Sequence, residues 1–293
     1  RIASLAEQGD FITLLTQLKQ GNFKKGPHTR ELIEALEDYR KNEAKRKAWR
    51  EAAYDRAVKR MNDKMAEDKL EDALVSAIDA ESHTDDRDAF ILSDKVVQLV
   101  ERSTEAAEKA AEKGDWVQAL SFYRLLDQLF DESRAYRDEL EDAARHLRVL
   151  QLYAPEYFLE LVEQQRQRRG NALDDDTPLT DPEPWDERLK GIDLTMLQQA
   201  VPMILAAHVE SPDASQILAG GVKNLMTMLD TPKLDDVFPS LKKVKQVKRF
   251  RAFLSNLHDS LTRPGREVDQ REAQAIISRV IAMNQLTVYL PQQ

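Results

Sequence analysis

From His28 to Lys113 the chain runs for 86 residues without a glycine or a proline. A sheet protein must reverse direction every few residues, and those two residue types supply most of the turns. The gap therefore points to long helices. The composition agrees: only 9 Gly and 11 Pro occur in 293 residues, against many Ala, Leu, Glu, Lys, Arg and Gln, which lose little rotamer freedom in a helix. No stretch alternates apolar and polar residues over strand length between turn signals. The expected fold class is all-α, an irregular, repeat-like array of helical hairpins plus a smaller helical domain.

Between Thr29 and Asp79 the apolar positions Leu32, Leu36, Tyr39, Tyr54, Ala57, Met61, Leu70, Leu74 and Ile78 fall mostly at helical spacing. They are interrupted by a polar stretch from Arg40 to Lys47. A helix polar on all sides persists through opposite charges three or four residues apart, or by bridging two packed regions. An exposed long helix is expected here.

The run Ala111 to Tyr123 reads as helix, tight turn, helix. Gly114 tolerates the left-handed conformation that closes one helix, and the Asp115 carboxylate can accept from the free amides that open the next. Trp116, Ala119 and Tyr123 then share a face, with the small Ala119 admitting a neighbour. This pattern resembles the turn and second helix of a tetratricopeptide repeat. Ala6 to Phe11 is a weaker copy, and Asp68, Leu70, Ala73 and Ala77 form a third that lacks the glycine. Their spacing is far from the regular 34 residues of that repeat, so ordinary hairpins with Gly-Asp caps are an equal alternative.

Residues 170–188 carry seven acidic residues and Pro178, Pro182 and Pro184, with almost no apolar periodicity. The segment marks a boundary between a repeat-like array at 1–169 and a helical domain at 189–293, which is expected to continue past Gln293. Charge changes across it: residues 1–188 hold 30 basic and 42 acidic side chains, residues 189–293 hold 13 and 10. The two parts are electrostatically complementary and could dock. In the second part, apolar helices are expected at 193–209, kinked at Pro202, at 214–229, where Gly220 and Gly221 would admit a close partner, at 241–261, and from 271 to 290 with exposed apolar surface at its end.

Gly221, Val222, Leu225, Met226, Leu229, Asp230, Pro232, Leu234, Phe238 and Pro239 together resemble the helical segment preceding the PDZ domain of carboxyl-terminal processing (tail-specific) serine peptidases. Thr231 between Asp230 and Pro232, Asn224 in place of a second Gly, and the lack of a serine after the proline depart from that pattern. The resemblance implies a bacterial, periplasmic or otherwise extracytoplasmic protein. Its amino-terminal helices would serve assembly or partner docking, and its catalytic Ser and Lys would lie downstream. Without the resemblance a cytoplasmic location is the default. The alternatives are a free-standing tetratricopeptide-like scaffold and a helical nucleic-acid binder acting through the basic helix 241–261.

Chemistry is otherwise sparse. With no cysteine there is no disulfide, thiolate metal site or thiol nucleophile. Gly21 to Thr29 has the glycine spacing of a phosphate loop, but Pro27 follows the second glycine where lysine is needed. The five histidines lack partners at metal-binding spacing, His208 reads as a packing residue, and Asp174, Asp175 and Asp176 read as a solvated linker rather than a calcium loop. No cofactor, metal or catalytic residue is expected in this chain, and a serine peptidase would require a domain beyond it. The expected partners are proteins, or a second copy, met through helices. The docking residues are Trp116 and Tyr123 on the hairpin, and Lys242, Lys243, Lys245, Lys248, Arg249 and Arg251 in a basic run without acid from Val237 to His258. Nucleic acid is disfavoured there because the chain is net −9 and the apolar face claims Phe250 and Phe253. No run is apolar for the roughly 20 residues a spanning helix needs.

Overall fold

The computed structural model describes residues 11–20, 27–170, 184–192 and 213–290, with Met196, Gln199, Ala200 and Met203 as isolated positions. These residues form thirteen α-helices, one 3-10 turn and no strand, so the fold is all-α. The Ala6 to Asp10 copy, the glycines of the 21–29 loop, Asp174 to Asp176, and the helix expected at 193–209 with Pro202 and His208 lie outside the described residues, isolated positions apart. No helix among the described residues is long and apolar enough to cross a membrane.

The chain divides into two compact units at 103/104. In the first, α1 (Phe11–Gln20) lays Leu14, Leu15 and Leu18 against Leu36 near the start of α2 (Pro27–Ala66), and Phe11 meets Tyr39 edge-on at 5.1 Å. The 40 residues of α2 extend about 60 Å at 1.5 Å per residue. Its far end packs against α3 (Leu70–Glu81), with Ala57, Met61, Ala73, Leu74 and Ala77 all within 1% of full burial. The hairpin between them turns on Asp68 at φ +59. A side chain that tolerates the left-handed region thus takes the role of the glycine missing from the third copy. The short α4 (Arg87–Ile91) is capped by Asp86, which accepts from the Ala89 amide at 3.0 Å. Next, α5 (Asp94–Glu112) carries the chain across the division.

The second unit holds α6 (Trp116–Leu129), α7 (Arg137–Tyr153), α8 (Pro155–Arg168), α9 (Trp185–Arg188), α10 (Ala214–Asp230), α11 (Leu234–Val237), a 3-10 turn (Pro239–Lys242), α12 (Val244–Leu261) and α13 (Gln270–Leu286). Helix α7 touches α6, α8, α10 and α11, while α12 and α13 pack on α10. The described residues on either side of the expected 170–188 boundary therefore share one unit. Its end is also more ordered than a linker: Trp185 in α9 rests on Tyr153 and Phe238, with ring centroids 5.9 and 5.4 Å away. Residues 171–183 lie outside the description.

Three expectations for the carboxyl-terminal part change in detail. Gly220 and Gly221 face open space, not a close partner. The basic helix starts at Val244, because Pro239 opens a separate 3-10 turn and Lys243 has non-helical dihedrals. Lastly, α13 stops at Leu286, and residues 287–290 fold back. Both side-chain amide atoms of Asn284 pair with the Leu290 backbone at 2.9 Å, which buries Val288 and Leu290 while Leu286 and Tyr289 stay exposed.

Candidate functional site

The Gly-Asp turn organises the most elaborate constellation of the second unit. Gly114 adopts φ +79, and the amides of Gly114 and Asp115 bond back to the Ala111 and Ala110 carbonyls at 2.9 Å, ending α5. The Asp115 carboxylate serves two partners: one oxygen caps α6 by accepting from the Gln118 amide at 3.1 Å, and the other pairs with Arg168 at the end of α8 at 2.6 Å. Trp116 is thereby set at the first position of α6, one turn below the fully buried Ala119 and two below the buried Tyr123.

Trp116 lies flat on His146 of α7, centroids 3.7 Å apart and planes 2° from parallel. The Thr231 hydroxyl, which donates to the Thr227 carbonyl at 2.6 Å, meets Nδ1 of His146 at 2.7 Å. Nε2 faces Asp142, 3.6 Å away. The contact with His146, helped by Arg145, outweighs the partial burial of the Asp142 carboxyl and holds it down at about 2. The Tyr123 hydroxyl is pushed up to about 12 by burial and by the negative charges of Glu108, Glu139 and Asp142.

Above this floor an open cleft of about 340 Å³ is lined by Ala111, Trp116, Tyr123, Asp138, Glu139, Asp142, Arg145 and Lys223. Arg145 is tied to Asp142 at 3.0 Å and to Glu141 at 3.8 Å, so the rim presents an excess of acid. Trp116 Nε1 is buried with no acceptor among the described residues. Such a cleft suits a partner that brings cations.

Of the residues expected to dock partners, Trp116 and Tyr123 come together in this cleft. The basic run does not line it. Lys242 is held by Asp236 at 3.2 Å and Arg251 by Asp230. Lys245, Lys248 and Arg249 stand exposed on α12, turned from its buried Phe250, Leu254 and Leu261. Sequence reading gave no docking role to His146, Asp142, Thr231 or Lys223. The four-residue step from Asp142 to His146 could have been noticed on a helix, but nothing local links His146 to a threonine 85 residues away. Among the described residues no group of three or more His, Asp or Glu side chains is placed to hold a metal ion.

Comparisons with protein-family models, with curated proteins and with solved structures returned no match.

Proposed function

We propose that this chain is a non-catalytic helical region that docks a protein partner, and that it serves a bacterial carboxyl-terminal processing serine peptidase. The observation that carries the docking reading is the α6–α7 cleft, where an acid-rich rim surrounds a rigid aromatic floor. Interfaces draw their energy from such aromatic anchors, while charge complementarity sets orientation and partner choice. The occupant that matches is a Lys- or Arg-rich segment of another protein.

The peptidase context rests on the resemblance at residues 221–239. In support, Val222, Leu234 and Phe238 are buried there as packing residues, the role their counterparts would have in such a segment. The coding sequence beyond Gln293 tests this context. A PDZ domain followed by a Ser/Lys peptidase core supports it, whereas an immediate stop codon leaves a free-standing tetratricopeptide-like scaffold as the reading.

Docking is tested by calorimetric titration of the purified chain with Lys/Arg-rich and acid-rich peptides. The basic peptides should bind, and Asp138→Asn with Glu139→Gln should weaken them about tenfold, as expected when two rim charges of roughly 0.7 kcal/mol each are removed. Equal binding of both peptide classes, or no effect of the double substitution, would count against the cleft as the docking site.

A further inference from the structure

Among the described residues no helix packs along the middle of α2, which meets only the turn after α3, through Trp49 edge-on to His83 at 5.4 Å and Arg50 with Asp85. From Arg40 to Ala52 every residue is exposed except the half-buried Glu43, whereas α1 covers one end of the helix and α3 the other. Charge is concentrated on this bare stretch and the turns that follow. Residues 40–60 contain nine Lys or Arg and three Asp or Glu, net +6, although residues 1–103 as a whole are net −2. An ordinary solvated face carries mixed signs; here the remainder of the unit is left at −8.

The cations surround the helix. Arg46 and Arg50 continue the face that packs at both ends, Arg40 and Lys47 lie to one flank, and Lys41, Lys45, Arg56 and Lys59 form the outer side. Lys47 and Arg50 have acidic partners at 4.0 and 3.1 Å; the four outer cations have no salt-bridge partner among the described residues. Among them on that side sit Ala48, Ala52 and the single acid Asp55, all exposed. Two aromatic rings stand among the charges, Trp49 at 60% exposure and Tyr39 at 38%. With Glu43, Arg46 and Arg50 they border a hollow of about 410 Å³.

We propose that residues 39–60 of α2 are a docking surface for single-stranded nucleic acid, with phosphates on the lysines and arginines and a base on Trp49. A flexible strand can follow cations around a helix, and stacking on an exposed aromatic is tolerant of base identity. Other occupants fit less well. A second copy meeting this stretch through its own α2 would bring the same positive charge, and a bilayer or an acidic helix would meet one side of α2, where Ala48 and Ala52 provide no large apolar anchor. The basic helix α12 lacks the aromatic component, since its Phe250 is buried and its Phe253 half-buried.

The test is fluorescence anisotropy of a labelled 20-nucleotide oligo-dT with the full chain, at 50 and 200 mM salt. Binding should weaken about 50-fold across that range if four phosphates are contacted, each contributing about −0.7 to the logarithmic salt slope. Lys41→Glu, Lys45→Glu, Arg56→Glu and Lys59→Glu together should abolish binding while helicity by circular dichroism is unchanged, and Trp49→Ala should weaken it about fivefold or more. No binding at 50 mM salt, binding indifferent to the four substitutions, or equal affinity for duplex DNA, poly-glutamate or anionic vesicles would each overturn the assignment.

Discussion

Pro232 stands where a side chain at position 114 would have to go: a Cβ added to Gly114 would lie 2.9 Å from Pro232 Cγ. The turn that opens the α6–α7 hairpin is thus pressed against the residue following Thr231, the hydrogen-bond partner of His146. Glycine is required there twice, by φ +79 and by this contact.

Gly114→Ala should therefore destabilise the chain by about 2 kcal/mol or more, combining the left-handed penalty of about 1–2 kcal/mol with displacement of Pro232. In a Pro232→Gly background only the conformational part should remain. Urea unfolding of the two single variants and the double variant measures the difference as a coupling energy, and strict additivity would show that the contact carries no energy.

The Asp142 carboxyl, held near 2 against an ordinary 3.8, gives stability a defined acid dependence. Because the folded-state value is the lower one, its contribution is complete above about pH 4 and disappears as pH falls through 2. Between pH 4 and pH 2 the urea midpoint of the wild type should fall more steeply than that of Asp142→Asn. Parallel curves would mean that the His146 and Arg145 contacts do not persist in solution.

The three tryptophans should rank by environment. Trp116→Ala removes a buried ring and should cost about 3–5 kcal/mol. Trp185→Ala loses two aromatic contacts worth about 0.5–1.5 kcal/mol each and should cost about 1–3 kcal/mol. Trp49→Ala, exposed on α2 with one edge-on contact to His83 at 5.4 Å, should cost least, about 0.5–1 kcal/mol. Denaturant titration of the three variants reads the order directly.

Gly220 and Gly221 lie inside α10 with nothing near a future Cβ. Replacing both by alanine should stabilise the chain by about 1–2 kcal/mol, since each glycine in a helix interior costs roughly 0.5–1 kcal/mol. A lower melting temperature would mean that these positions meet a partner surface in solution.

Features that were legible in the sequence are those decided within a few residues. Gly114 and Asp115 announce a helix stop and a helix start by their own conformational and hydrogen-bonding chemistry, and the Gly- and Pro-free run leaves no place for a sheet turn. The stacking of Trp116 on His146 was not legible, because it depends on which helices meet, and its anchor Thr231 is distant in sequence. Ironically for pattern reading, Thr231 is also the residue that departs from the peptidase-like Asp-Pro step. Gly220 and Gly221 misled because a missing side chain can mean a close neighbour or merely none. The positive segment of α2 was visible as composition, but whole-chain acidity masked a local excess.

The uncovered centre of α2 also implies that its two ends need not melt together. Among the described residues, the leucine cluster beside α1 and the alanine-rich contact with α3 are joined across residues 40–52 chiefly by the backbone hydrogen bonds of the helix itself, the Trp49–His83 and Arg50–Asp85 contacts apart. Cooperativity across such a span is that of an isolated helix, where elongation is easy but each residue adds little. Amide exchange should then reveal a least protected zone inside the longest helix, flanked by two slower ones, so that the element most continuous in shape is divided in its unfolding.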